Sequence, residues 1–342
     1  MQALYDVPAP AKLNLFLHVV GKRPDGYHLL QSLFVLIDWA DTLHFERRAD
    51  GQLRRHDRGD ALPADDLCLR AARALQQASG CALGVDIHID KRLPSGAGMG
   101  GGSSDAASTL LALNQLWGLN WPRSRLLPLG LSLGADVPFF IGGHNAFVEG
   151  IGERLHPLAL PPLDFMVVKP QASIATKDIF SSPLLQRSES VAIVAGFPAV
   201  SGLPQRTAHQ AQAEPWDCAG SAPCGSDRFV EQLCQGWGRN DLQPPAEAAS
   251  HEVSEALALL QARFGNSRMT GSGSAVFARV LETSQKHARM TGSVGQLGSN
   301  PKATQQEGQV KPIADGIDWP SGWVVRQCHS LDVHPLRGWA DD

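Results

Sequence analysis

Cysteine is sparse in this chain, and its spacing suits neither metal nor cross-links. The six residues, Cys68, Cys81, Cys218, Cys224, Cys234 and Cys328, form no Cys-x-x-Cys pair, and no His-x-x-x-His accompanies them. Neither zinc nor a disulfide framework is indicated by that pattern, and the thiols read as reduced. An excess of one charge is missing as well. The formal net charge is −4 over 342 residues, which gives no global attraction for nucleic acid or an anionic membrane. No span approaches the ~20 apolar residues of a membrane-crossing helix. The N-terminal run Leu13 to Val20 is broken by Asn14 and His18, so no secretory leader is indicated. A cytoplasmic protein is expected, with any phosphate affinity confined to local basic spots: Lys12, Lys22 with Arg23, and Lys91 with Arg92.

What the chain does have is glycine in one place. Pro94-Ser-Gly-Ala-Gly-Met-Gly-Gly-Gly-Ser-Ser-Asp-Ala-Ala107 holds five glycines in seven positions. It follows the alternating, strand-like Val85 to Lys91 and precedes Ser103 to Trp117, whose apolar residues recur at helical spacing. Glycine permits positive φ and turns backbone N–H groups toward one point. The first turn of the following helix adds unpaired donors and a positive dipole end. The stretch therefore reads as an anion cradle, against the plainer alternative of a glycine-rich turn.

Three familiar phosphate motifs do not fit it. Gly96-x-Gly98-x-x-Gly101 matches the dinucleotide fingerprint formally, but the preceding strand carries Asp86, His88 and Asp90 on one side, where a buried parallel strand would be apolar. The acidic ribose-binding residue about 20 positions on is also missing. No Gly-Lys-Ser/Thr ends the loop, and no His-Arg-Asp or Asp-Phe-Gly follows, which excludes Walker and protein-kinase loops.

With 43% hydrophobic residues, a chain of this length can bury a substantial core and divide into two domains. Strands are expected at Ala11 to Val20, Leu29 to Asp38 and Thr42 to Arg47, with a hairpin turn at Pro24-Asp-Gly26. Helices are expected at Leu67 to Ser79 and Arg125 to Leu133, and a glycine-broken strand at Ala146 to Leu158. This mixed order means an α+β fold. Pro161-Pro162 marks a boundary between residues 1–162 and 163–342. The second part opens with strand Leu163 to Val168 and contains helices near Phe229 to Gly236 and Ser250 to Phe264. A second glycine turn, Thr270-Gly-Ser-Gly-Ser274, feeds the strand ending at Val280. Residues 187–227 and 284–321 are rich in Gly, Ser, Pro, Ala and Gln and read as surface insertions, with the apolar piece Val191 to Phe197 a possible exception.

The loop resembles that of the galactose, homoserine, mevalonate and phosphomevalonate (GHMP) kinases. Pro10-Ala-Lys-Leu-Asn-Leu-Phe-Leu17, Asp25-Gly-Tyr-His28, Gly134-Ala-Asp-Val-Pro138 and Ser330-Leu-Asp-Val-His-Pro-Leu336 resemble, in order, motifs of the branch acting on 4-diphosphocytidyl-2-C-methyl-D-erythritol. The resemblance implies a ribosomal-protein-S5-like N-terminal domain, a ferredoxin-like C-terminal domain, ATP as phosphoryl donor and Mg2+ as its counter-ion. It implies an acceptor of that chemistry, with no nucleic acid or membrane partner.

The site residues follow from the same resemblance. Lys91, Pro94, Ser95, Gly96, Ala97, Gly98, Met99, Gly100, Gly101, Gly102, Ser103 and Ser104 would bind ATP, with Ser103 or Ser104 offering a hydroxyl to the metal. Asp136 would be the catalytic carboxylate and Lys12 its partner. On residue type alone, Asp before Val-Pro is more often a turn or cap residue. Asn14, two positions along the strand, should share the face of Lys12. Tyr27 and Phe180 would stack on the cytosine, His28 would read its edge, and Thr176 would lie near the acceptor. Asp105 would complement the helix dipole. One position departs from the branch, which usually has asparagine where this chain has Asp66, near the purine pocket; a carboxylate accepts but does not donate. Two rival readings are a kinase of the same fold for homoserine or mevalonate, and a silent nucleotide-binding regulator.

Overall fold

The computed structural model describes residues 1–59, 61–188, 238–280 and 317–342. The helix expected near Phe229 to Gly236, the piece Val191 to Phe197 and most of both insertions lie outside them.

The chain opens with a long hairpin, β1 (Ala3–Lys22) and β2 (His28–Arg48), joined by the expected turn. Gly26 takes φ 93° there, and the Arg23 and Gly26 backbone groups close the loop. The two strands expected at Leu29 to Asp38 and Thr42 to Arg47 are one. Residues 39 to 41 stay in the ladder because Ala40 pairs with Pro10 and Asp41 with Ala9, while register shifts on β1 between Pro10 and Lys12 and between Asn14 and Leu17 absorb the irregularity. Such bulges re-aim side chains, and both Lys12 and Asn14 lie here, buried.

β3 (Leu53–Arg58) and β4 (Gly84–Asp90) run parallel, connected through α1 (Leu67–Ser79), as a crossover connection requires. The sheet order is β3-β4-β2-β5-β6, with β1 on β2; β5 (Ala146–Glu149) and β6 (Arg154–Pro157) form a hairpin, so the expected strand Ala146 to Leu158 is two strands. Packed against this sheet are α1, α2 (Gly101–Leu116), α3 (Arg123–Leu133) and α4 (Val137–Gly142). Their shared core includes Phe45, Ile87, Leu110, Leu113, Phe139 and Phe140, all at 1% exposure or less.

The second sheet has the order β10-β7-β9-β8. It comprises β7 (Asp164–Lys169), β8 (Arg268–Met269), β9 (Val276–Val280) and β10 (Val324–His329). Around it lie α5 (Thr176–Ser181), α6 (Gln243–Ala249) and α7 (His251–Phe264). Pro161-Pro162 lies between β6 of the first sheet and β7 of the second, and one buried cluster, including Leu13, Val35, Phe165 and Phe277, draws on both sheets. After β10 the chain returns to the first sheet: Leu331 N–H bonds Leu36 O at 2.8 Å, His334 N–H bonds Gly143 O at 2.9 Å, and Arg123 N–H bonds Asp341 O at 2.6 Å. Leu336 is buried among the residues of α2 and α3. No helix among the described residues is long and apolar enough to cross a membrane.

Candidate active site

The glycine loop spans the gap between β4 and α2. Gly96, Gly98 and Gly100 adopt φ of 62°, 73° and 74°, values that only glycine holds without strain. Leu93, Ala97 and Met99 are buried and anchor the loop. α2 begins at Gly101, not at the serines, and its cap residue Gly100 supplies no side-chain bond. Ser103 and Ser104 are therefore in the first turn rather than capping it. Ser104 N–H makes the first intrahelical bond, to Gly100 O, so the N–H groups of Gly101, Gly102 and Ser103 have no intrahelical acceptor.

The second glycine turn closes on this loop from the other sheet. Ser274 N–H bonds Gly96 O at 3.0 Å and Ala275 N–H bonds Ala97 O at 3.2 Å. A β-carbon on Gly98 would overlap the Thr270 carbonyl oxygen. The joined turns line one side of a cleft of about 1000 Å³, whose lining includes Gly96, Gly98, Gly100 and Gly271 to Gly273.

Lys12 and Asp136 face each other in this cleft, Nζ to Oδ2 at 3.6 Å. Lys12 is 3% exposed, and its ammonium is further held by Asn14 Oδ1 at 2.5 Å and by the Phe34 ring, 4.4 Å from its centroid. Burial lowers the Lys12 pKa, and the Asp136 charge opposes that fall. Asp136 stands at the cap position of α4, yet its side chain makes no capping bond. The carboxylate is spared for Lys12. Asn14 is fixed in turn by Thr270 and Ser32: its N–H bonds Thr270 Oγ1 at 3.0 Å, its Nδ2 donates to Ser32 Oγ at 2.9 Å, and Thr270 Oγ1 donates back to its Oδ1 at 3.2 Å. Thr270 was not singled out in the sequence, although it opens the second glycine turn.

At the other end of the cleft the structure brings His28 and Phe180 together, stacked with ring centroids 4.8 Å apart at 23°. Tyr27 lines the cleft but is 60% exposed and stacks on neither ring. Burial, aided by Lys22 and Arg187, depresses the His28 pKa, so the imidazole is neutral at pH 7. Its Nε2 is buried with no partner among the described residues. Thr176 starts α5, and its hydroxyl bonds that of Ser272 at 2.7 Å.

Several expected residues are placed outside the cleft lining, among them Lys91, Asp105, Asp66, Ser103 and Ser104. Lys91 Nζ is engaged by Asp41 and by Asp105 Oδ2. Asp105 thus faces Lys91 rather than the helix end; burial, with Asp41 beside it, pushes its pKa up to about 7 against the pull of the Lys91 ammonium. Asp66 caps α1, accepting from Cys68 N–H at 3.2 Å and Leu69 N–H at 3.1 Å, and pairs with Arg55 at 2.8 Å. The acceptor-only chemistry of its carboxylate is fully used there. Ser104 is fully buried and its Oγ has no partner among the described residues; Ser103 Oγ lies 3.9 Å from where a β-carbon on Gly134 would sit, beside the Asp136 turn.

The loop and the Asp136 turn both fall within residues 66–144, which match the GHMP kinases N terminal domain; residues 227–289 match the GHMP kinases C terminal model. The 4-diphosphocytidyl-2-C-methyl-D-erythritol kinase of Methylibium petroleiphilum is 55% identical over 340 residues, covering 99% of both chains. The chain belongs to the GHMP kinase family. Within that family, the kinase of the same name from Verminephrobacter eiseniae is 51% identical, covering 100% of this chain and 99% of its own. A crystal structure of 4-(cytidine 5'-diphospho)-2C-methyl-D-erythritol kinase superposes on this GHMP kinase with TM-score 0.60 at 34% identity, over 83% of this chain and 92% of that one. A homoserine kinase from Cytophaga hutchinsonii shares the fold at TM-score 0.64 and 17% identity, over 98% and 96%.

Proposed function

We propose that this kinase transfers the γ-phosphoryl group of ATP to the 2-hydroxyl of 4-diphosphocytidyl-2-C-methyl-D-erythritol, giving the 2-phosphate and ADP in non-mevalonate isoprenoid precursor biosynthesis. The observation that carries the reading is the Lys12–Asp136 pair, set in one cleft between a glycine cradle and an aromatic pair.

Each residue has a part in that reaction. The loop from Pro94 to Ser104 gathers N–H groups on the polyphosphate, with positive φ at Gly96, Gly98 and Gly100 giving the backbone the turn this requires. Asp136 accepts the proton of the attacking hydroxyl. Lys12 stabilises negative charge building on the attacked oxygen, and Asn14 fixes the ammonium there. His28, neutral and with Nε2 unsatisfied, reads the cytosine edge, while Phe180 and Tyr27 supply stacking faces once the base enters. Thr176 borders the acceptor.

Magnesium fits sparsely. Among the described residues no group of three or more His, Cys, Asp or Glu is arranged to hold a metal ion, which suits an ion held mainly by nucleotide phosphates. Of the two serines Ser103 would join it, since Ser104 is buried. When bound, the ion withdraws charge from the transferring group.

The test is ADP release by the purified protein with Mg-ATP and 4-diphosphocytidyl-2-C-methyl-D-erythritol, beside homoserine and mevalonate. Turnover with the cytidylated acceptor alone is expected. Turnover with either small alcohol instead assigns the site to that acceptor, and ATP binding without any turnover makes the protein a silent binder.

A further inference from the structure

The acceptor half of the cleft carries more positive charge than its carboxylates balance. Lys22, at the end of β1, and Lys177, in the first turn of α5, line the same cavity as Lys12 and Asp136. The two lining carboxylates are already paired, Asp136 with Lys12 at 3.6 Å and Asp25 with Arg23 at 2.7 Å. Among the described residues, neither Lys22 nor Lys177 has a carboxylate within ion-pair distance. In a protein of formal net charge −4, two unbalanced ammonium groups lining one cavity are a local attraction for anions.

Their position along the cleft narrows which anion. Lys22 is the register partner of His28 across β1 and β2, beside the His28–Phe180 stack. Lys177 follows Thr176, whose hydroxyl is tied to Ser272 of the second glycine turn. One cation therefore stands beside the aromatic pair and the other beside the turn that closes on the phosphate loop. Resting on the acceptor reading above, we propose that Lys22 and Lys177 bind the acceptor's diphosphate, the segment that must lie between its base and its reacting hydroxyl. An ammonium donates charge-assisted bonds to phosphate oxygens without demanding the planar geometry a guanidinium needs. The pair makes the site selective for diphosphate esters over uncharged alcohols of similar size.

The test is the affinity of cytidine, CMP and CDP for the intact protein by titration calorimetry, with the ATP site filled by a non-hydrolysable ATP analogue. For the wild-type protein CDP binds more tightly than cytidine. Lys22→Gln/Lys177→Gln weakens CDP about tenfold, the scale of one or two charge-assisted bonds, with cytidine and ATP-analogue affinities unchanged; Lys22→Arg/Lys177→Arg restores most of the loss. Unchanged CDP affinity in the Gln variant, or a parallel loss for cytidine, overturns the role of the two lysines and leaves the acceptor reading standing. A wild-type protein that binds the ATP analogue but neither cytidine nor CDP overturns the acceptor reading itself, and this inference with it.

Discussion

Gly98 and Gly271 meet backbone to backbone: a β-carbon on Gly271 would lie 2.6 Å from the Gly98 carbonyl oxygen and 3.1 Å from its Cα. The two glycine turns, one from each sheet, are packed so closely that their mutual position is set by main chain alone. Both also hold positive φ, 73° and 55°, so at each position a side chain is opposed by conformation as well as by space.

Gly98→Ala should therefore part the two turns. The KM for ATP is expected to rise and Tm to fall together, as the loop moves off Thr270 and Gly273. Thermal denaturation beside ATP kinetics checks this, and an alanine variant with wild-type values for both would show that the turns tolerate separation.

Asp136→Asn removes the carboxylate proposed above as proton acceptor, and with it the partner of the Lys12 ammonium, while keeping the shape of the side chain. kcat is expected to fall by about 10²–10⁴-fold, with ATP affinity largely kept, because the glycine cradle does not include this carboxylate. Loss of ATP binding together with turnover would make Asp136 a structural residue.

The pH profile should carry the mark of burial at Lys12. Desolvation lowers its pKa below the ordinary lysine value, and Asp136 only partly offsets the fall. The Lys12 ammonium is thus lost earlier on the alkaline side, and if it stabilises charge as proposed above, kcat/KM should begin to decline below the range where an exposed lysine titrates. A profile flat through that range would exclude a catalytic ammonium with a lowered pKa.

Phe180→Ala takes away one face of the proposed acceptor pocket and frees His28 from its stack. The acceptor KM is expected to rise about tenfold or more, the scale of one base–aromatic contact, and the ATP KM to change little. Tyr27→Ala should act in the same direction. Equal effects on both substrates would remove the case for cytidine stacking.

Asp105 offers a stability measurement independent of catalysis. Its folded pKa is raised to about 7 from an ordinary 3.8, chiefly by burial and by the neighbouring Asp41. Across that window the native state holds a proton that the unfolded chain has released, so this residue's contribution to stability falls as pH rises from about 4 to 7. Asp105→Asn, always neutral, should raise Tm above pH 7 and flatten its pH dependence in the window. Parallel Tm–pH curves for the two proteins would show that Asp105 stays ionised when folded.

The parts of the site that sequence reveals are those where backbone geometry restricts residue choice. The glycine loop and the Asp-Gly hairpin require positive φ, and Lys12 and Asn14 share a face because alternate strand residues must. What was hidden depends on tertiary partners. β3 reads as charged loop, Leu-Arg-Arg-His-Asp-Arg, because it is an edge strand paired on one side only. The serines look like caps, but α2 starts before them at Gly101. Lys91 looks like a free cation ahead of a phosphate loop; only the fold brings Asp41 and Asp105 to it. Likewise, nothing local shows that Phe180 meets His28 rather than Tyr27.

The return of the last residues to the first sheet makes the N-terminal unit discontinuous. Its core is sealed by Leu336, and Arg123 is held by the backbone of Arg337, Ala340 and Asp341, so a fragment ending at Pro162 would leave an apolar seat open. The two sheets are threaded in the order first, second, first, and the closing segment can dock only after β10 has been laid down. Folding of the first half is therefore completed by the end of the chain, and the two halves should melt in one transition rather than as separable modules.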